Sequence, residues 1–86
     1  YYNLRNYVEA LKYQQKALNI QLQILGDNHP QVATSYDNIG VVYSKLGDPQ
    51  KEIEFYEKAL KIYLQVHGEN HPKVATSYND IGLVYD

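Results

Sequence analysis

The chain has 86 residues, of which 44% are hydrophobic and 21% are charged, and its formal net charge is −2. This composition suits one small folded domain and is too hydrophobic for a disordered tail. The absence of cysteine excludes disulfides, thiolate metal sites and cysteine nucleophiles. Without a cluster of Lys and Arg, nucleic acid and an anionic membrane surface are poor candidates as partners. No apolar run approaches the roughly 18 residues that a membrane span needs.

The amino-terminal segment gives no sign of export, because residues 1–10 are polar and rich in tyrosine. The chain contains no methionine, so residue 1 is not expected to be a natural start. We therefore expect a piece of a longer protein, and we expect that protein to be cytoplasmic.

The first two predicted elements are helices, over residues 6–25 and 30–46. Pro30 suits the first position of a helix because its φ is fixed and it has no N–H, and Gly47 suits the position after the last turn. Four residues of the second helix recur at i, i+3, i+4 and i+7, which is the spacing of one buried stripe. They are Tyr36, Ile39, Gly40 and Tyr43.

The third predicted helix covers residues 49–67 and the fourth covers residues 72–85. The third begins with Asp48 as an acidic N-cap and a proline at its first position, and it stops before Gly68. Its hydrophobic residues cover more than one stripe, so we expect neighbouring helices to pack on two of its sides. These residues are Ile53, Phe55, Tyr56, Ala59, Leu60, Ile62, Tyr63 and Val66. The links between helices are short, so successive helices are expected to be antiparallel.

An internal repeat spans the chain. The segment 29–36 recurs as 71–78, and about half of all residue pairs separated by this offset of 42 are identical. Glycine inside a helix costs about 0.8–1 kcal/mol relative to alanine, so the next long helix is expected to approach closely at Gly40 and Gly82. Helix pairs that repeat in this way are stabilised by stacking, which predicts an all-α, right-handed α-solenoid fragment of four helices. Two periods are fewer than the three usually needed, so we expect a fragment of a longer array or association with a second copy.

These residues resemble the tetratricopeptide repeat. Two segments are similar to its pattern Trp-x2-Leu-Gly-x2-Tyr, namely Tyr36-x2-Ile39-Gly40-x2-Tyr43 and Tyr78-x2-Ile81-Gly82-x2-Tyr85. The alanine and aromatic positions of the pattern correspond to Ala10, Tyr13 and Ala17 in one copy, and the other copy offers Phe55, Tyr56 and Ala59, with Glu52 where the first copy has Ala10. The phrase Gly-x-x-His-Pro-x-Val-Ala resembles the 42-residue repeats of kinesin light chain and related arrays. The resemblance covers residues 1–86 as a single repeat region and implies a protein-binding scaffold without catalytic activity or cofactor.

The resemblance also implies a concave groove lined by one face of the helices 30–46 and 72–85. Stepping 100° per residue from Tyr36 finds the side of each helix that faces away from the core. The candidate groove residues are Thr34, Asp37, Asn38, Val41, Lys45, Thr76, Asn79, Asp80 and Leu83.

Some of these candidates have specific expected roles. Asn38 stands where related domains use asparagine to hold the main chain of a peptide. Val41 and Leu83 are expected to act as hydrophobic anchors, although single exposed aliphatic residues are common on any surface. The acids Asp37, Asp80 and Asp86, set against Lys45, favour a neutral or basic ligand over an acidic one.

Other sites have less support. His67 and His71 have the i,i+4 spacing of a zinc pair on a helix, but Gly68 and Pro72 bracket a turn there. We therefore favour roles in the loop and at the helix N-terminus over a metal site. Three hypotheses for function follow: a peptide-binding groove, which we favour; a spacer or self-assembling array that stacks head to tail; and, least favoured, a metal-dependent enzyme fragment that uses the two histidines.

Overall fold

A computed structural model describes residues 4–85 as four helices: α1 (Leu4–Leu25), α2 (Pro30–Leu46), α3 (Pro49–His67) and α4 (Pro72–Tyr85). The described residues contain no strand. The last three helices have the bounds expected from the sequence, and α1 begins two residues earlier than expected. Asp86, which was named among the groove acids, lies outside the described residues. None of the four helices is both long and apolar enough to cross a membrane.

Proline, glycine and short polar side chains set the ends of the helices. Gly47 ends α2 in the left-handed conformation, with φ of 77°, and its N–H donates to the carbonyl of Ser44 at 3.1 Å. The Asp48 carboxylate accepts from the N–H of Lys51 at 3.2 Å, which confirms its role as the N-cap of α3. The turn between α2 and α3 is therefore tight, and the chain reverses direction within two residues.

Histidine side chains cap the starts of α2 and α4. Nδ1 of His29 accepts from the N–H of Gln31 at 3.1 Å, and Nδ1 of His71 accepts from the N–H of Lys73 at the same distance. The N-terminal role expected for His71 is thus confirmed. His67 is the last residue of α3.

The hydrophobic core follows the chain order, because α1 packs on α2, α2 on α3, and α3 on α4. The prediction that α3 is covered on two sides is confirmed. The central cluster takes residues from all four helices and consists of Leu18, Val32, Ala33, Ile39, Ala59, Ile62, Tyr63 and Val74.

The two helical glycines have different surroundings. A Cβ built on Gly40 would lie 2.7 Å from Cε1 and 2.9 Å from Cδ1 of Tyr56, so α3 approaches α2 as closely as the sequence predicts. A Cβ on Gly82 meets nothing within 4 Å. The close approach expected at Gly82 needs a long helix after α4, and none of the described helices packs on that side of α4.

The aromatic stripe is likewise buried in one copy and open in the other. The rings of Tyr36 and Tyr43 lie 6.0 Å and 5.5 Å from the ring of Phe55. Their equivalents on α4, Tyr78 and Tyr85, are 57% and 73% exposed. Burial of the stripe thus depends on the long helix that follows, and α4 has none among the described residues.

Candidate binding groove between α2 and α4

A groove runs along the molecule with α2 and α4 as its walls and α3 as its floor. Both α2 and α4 pack on α3, and within residues 4–85 no Cα atom of α2 lies within 8 Å of a Cα atom of α4. Each short turn reverses the chain, so alternate helices lie on the same side of the fold. Side chains of three helices therefore meet in the space between the walls.

The narrower part of the groove is a recess of about 90 Å³ lined by Asp37, Tyr63, Lys73 and Thr76. The hydroxyl of Tyr63 on the floor lies 3.0 Å from Oγ1 of Thr34 on α2, a hydrogen bond between two elements. Nζ of Lys73 lies 5.8 Å from the centroid of the Tyr63 ring, within the range of a cation–π contact. The recess thus contains a carboxyl group, a phenol and an ammonium group.

Asp37 is only partly solvated in this recess. The pKa of Asp37 is raised from 3.8 to about 6, first by burial and then by the charge of Asp80, while Lys73 lowers it. Oδ1 of Asp37 is buried and has no hydrogen-bond partner among the described residues. A buried acceptor without a donor is costly, so this carboxyl group has unused hydrogen-bonding capacity.

The wider part of the groove is a recess of about 440 Å³ near the carboxyl end of α4. Burial is the main cause that raises the pKa of Tyr56, and the charge of Glu52 and the hydrogen bond that Glu52 accepts from the Tyr56 hydroxyl raise it further. Burial also raises the pKa of Asp80. Leu83 stands beside these groups with 72% of its surface exposed. The full lining is Ser44, Pro49, Glu52, Tyr56, Asp80, Leu83 and Val84.

The sequence of the chain matches the model of a protein family. That family, the tetratricopeptide repeat, is matched by residues 1–65 and, in a second match, by residues 53–86. The chain belongs to the tetratricopeptide repeat family. No curated protein matches the chain. Tetratricopeptide repeats generally mediate contacts between proteins, and their fold is a non-catalytic one.

The groove candidates of this tetratricopeptide repeat chain divide into two groups. Four of them line a recess, namely Asp37, Thr76, Asp80 and Leu83. The other five are exposed and line neither recess; they are Thr34, Asn38, Val41, Lys45 and Asn79. The proposed anchors are accessible, since Val41 is 45% and Leu83 is 72% exposed.

Sequence reasoning missed the floor of the groove. Glu52, Tyr56 and Tyr63 lie at spacings of four and seven residues, which places them on one face of α3. Tyr56 and Tyr63 were assigned to the core, and they are indeed 6% and 3% exposed. Their rings are buried, yet both residues line a recess. The signal available in the sequence was the polar end of each tyrosine, because a buried tyrosine hydroxyl usually needs a partner.

The chemistry of the groove is that of binding. Its polar groups are hydrogen-bond acceptors, hydroxyls and one ammonium group. Within residues 4–85 no three side chains of His, Cys, Asp or Glu are placed to hold a metal ion together. Two of the hydroxyls already donate a hydrogen bond within their own helix. Thr34 donates to the carbonyl of Pro30 at 3.1 Å, and Thr76 donates to the carbonyl of Pro72 at 3.0 Å.

Proposed function

We propose that the chain is a non-catalytic binding module that takes a peptide or protein segment into the groove between α2 and α4. The observation that carries the proposal is the open space between these helices, closed from below by α3. An extended segment brings one N–H and one C=O per residue and needs polar partners for them. Asn38 and Asn79 at the groove edges can supply both donors and acceptors, and Leu83 can bury against an apolar side chain of the ligand.

The charges in the groove favour a ligand that is neutral or basic. The wider recess is lined by the carboxyl groups of Glu52 and Asp80 and by no basic side chain. The narrower recess sets Lys73 against Asp37. Complementary charge steers encounter and selects partners, so we expect Lys or Arg in the bound segment to lie in the wider recess.

A selection experiment with matched variants tests this proposal. A phage library of random 12-residue peptides is selected on the chain, and the affinities of enriched peptides are measured by fluorescence anisotropy. Asp80→Lys is expected to weaken them at least about tenfold, a cost of about 1.4 kcal/mol. Glu54→Lys makes the same change at an exposed position on the side of α3 opposite Tyr63 and is expected to leave affinity unchanged. Equal affinities for wild type and Asp80→Lys, or enrichment of acidic peptides, would contradict the proposal.

A second candidate function is head-to-tail self-assembly, and a specific observation favours it. Tyr78 and Tyr85 on α4 are exposed, whereas their equivalents in α2 pack on Phe55. Tyr13 occupies the position of Phe55 in the repeat, and it is 61% exposed on α1. Tyr13 of one copy therefore fits between Tyr78 and Tyr85 of another. Such a contact is heterologous, so it propagates instead of closing into a dimer.

Sedimentation velocity over a wide range of concentration tests self-assembly. The average mass is expected to rise with concentration, and Tyr78→Lys is expected to return it to that of one chain. Glu57→Lys, which changes an exposed residue of α3, serves as the control. A single monomeric species at every concentration would remove this second function and leave the groove proposal untouched. We also propose that the chain belongs to a longer cytoplasmic array, as the likeness to kinesin light chain repeats suggests. Neighbouring repeats of that array would pack on the exposed faces of α1 and α4.

A further inference from the structure

Two histidines form a stack where α3 passes into α4. The imidazole rings of His67 and His71 have centroids 3.8 Å apart and are inclined by 11°. The ring of Tyr63 continues the stack on the other side of His67, with centroids 6.0 Å apart. The stack therefore joins the last turn of α3 to the residue that caps α4.

The hydrogen bond at the start of α4 requires a neutral His71. Nδ1 of His71 accepts the N–H of Lys73, so that nitrogen carries no proton. A second proton on His71 would replace the acceptor that caps α4 with a donor. Nε2 of the neighbouring His67 is buried and has no hydrogen-bond partner among the described residues.

The charged groups around the stack also oppose protonation. Burial lowers the pKa of His71, and the charges of His67 and Lys73 lower it further. Lys73 faces the stack from α4. On α2 the nearby titratable group is Asp37, which interacts with both Lys73 and Tyr63. Glu69 lies in the turn between the histidines and is exposed.

The turn between α1 and α2 is the equivalent corner of the repeat and supplies an internal comparison. His29 caps α2 with the same geometry as His71 caps α4, with a distance of 3.1 Å in both cases. The residue that corresponds to His67 is Leu25, which packs against the core cluster. The corner between α1 and α2 thus has the cap and lacks the second imidazole. The paired rings are a property of the corner between α3 and α4.

We propose that the His67–His71 stack is a pH-sensitive joint, which holds α4 on α3 while His71 is neutral and caps α4, and which releases α4 when His71 is protonated. Because folding lowers the pKa of His71, the stability that the joint contributes is present above the pKa of free histidine, roughly 6.5. That stability is lost as pH falls through this value toward the lower pKa of folded His71. Because α4 is one wall of the groove, release of α4 opens the groove. The joint does not depend on which ligand the groove accepts.

Amide hydrogen exchange measured by NMR at pH 7.5 and pH 5.0 tests the joint, with each rate corrected for intrinsic exchange at that pH. In the wild type, protection of the α4 amides is expected to fall about tenfold for each pKa unit by which folding lowers the pKa of His71. Protection of α2, which begins at the corner with Leu25, is expected to fall less. In His67→Leu, which gives the second corner the composition of the first, protection of α4 is expected to change with pH no more than that of α2.

Comparison of the two proteins at each pH removes the contribution of Asp37, because both contain it and it titrates with the opposite sign. His71→Asn is a second variant, since asparagine also caps helices and does not titrate in this range. It should likewise abolish the pH dependence, so a poorly folded His67→Leu would not leave the question open. Equal protection of α4 at both pH values in the wild type would overturn the proposal. So would a pH-dependent loss that persists in both variants.

Discussion

Alanine substitution at Gly40 and at Gly82 applies one chemical change to two equivalent positions of the repeat. At Gly40 the added Cβ would lie 2.7 Å and 2.9 Å from two carbons of the Tyr56 ring and 3.4 Å from the carbonyl oxygen of Glu52. Tyr56 is only 6% exposed, so its ring has little room to move away. At Gly82 the same atom meets nothing within 4 Å. We expect the two variants to change stability in opposite directions.

The magnitudes follow from two terms. Replacing a helical glycine by alanine stabilises a helix by about 0.8–1 kcal/mol, and overpacking a tight contact costs about 1–3 kcal/mol. Gly82→Ala receives only the first term and is expected to raise the free energy of unfolding by up to about 1 kcal/mol. Gly40→Ala receives both and is expected to lower it by up to about 2 kcal/mol. The difference between the variants cancels the helix propensity and isolates the steric cost of the contact.

Urea unfolding followed by far-ultraviolet circular dichroism measures both variants, and at this size 1 kcal/mol moves the thermal midpoint by about 4–8 °C. A double-mutant cycle with Tyr56→Ala tests the cause, because removal of the ring should make Gly40→Ala neutral or stabilising. If Gly40→Ala were as stable as Gly82→Ala, the close approach of α3 to α2 would be refuted as the reason for glycine at this position.

Three further perturbations test other parts of the structure. Ser77→Ala removes a buried hydroxyl that has no partner among the described residues, so a thermal melt should show a gain of about 1 kcal/mol in the free energy of unfolding. The matched Ser35→Ala loses a hydrogen bond to Gln21 and should lower that free energy by about as much. Asp37→Asn should stabilise the chain at pH 8 by about 1–2 kcal/mol, a value already reduced for partial solvation. That gain should shrink as pH falls through about 6, because the folded carboxyl group is then protonated, and urea unfolding across pH 4 to 8 measures it. Asp48→Ala should cost about 1 kcal/mol through loss of the α3 cap, and a midpoint unchanged in urea would contradict that role.

Much of the fold could be predicted because the local chemistry is unambiguous. Proline at the first helical position and glycine after the last turn marked the bounds of α2 and α3, and the repeat indicated that α3 packs on both sides. Tertiary contacts were harder to predict, because an identical residue does not guarantee an identical neighbour. Ser35 donates to Gln21, whereas Ser77 has no partner among residues 4–85. The repeat places Tyr63 where Gln21 stands, and the hydroxyl of Tyr63 bonds to Thr34 instead.

The candidate site was predictable only at its walls. The exposed side of α2 and α4 follows from 100° per residue, and those residues are accessible as expected, apart from the partly buried Asp37 and Asp80. Which residues form the floor depends on the distance between α2 and α4. That distance results from the packing of three helices and cannot be inferred from the sequence of any one of them. The same limit applies to Lys58, whose surroundings depend on a neighbouring ring. Its ammonium group lies 4.8 Å from the centroid of the Phe55 ring.

Among the described residues, no Cα atom of α2 lies within 8 Å of one of α4, so the distance between these two walls depends on how each packs on α3. Tyr56 and Tyr63 lie on one face of α3 and line the two recesses. Their side-chain volume therefore acts as a spacer between the walls. A smaller residue at either position is expected to narrow the groove, and a larger one to widen it.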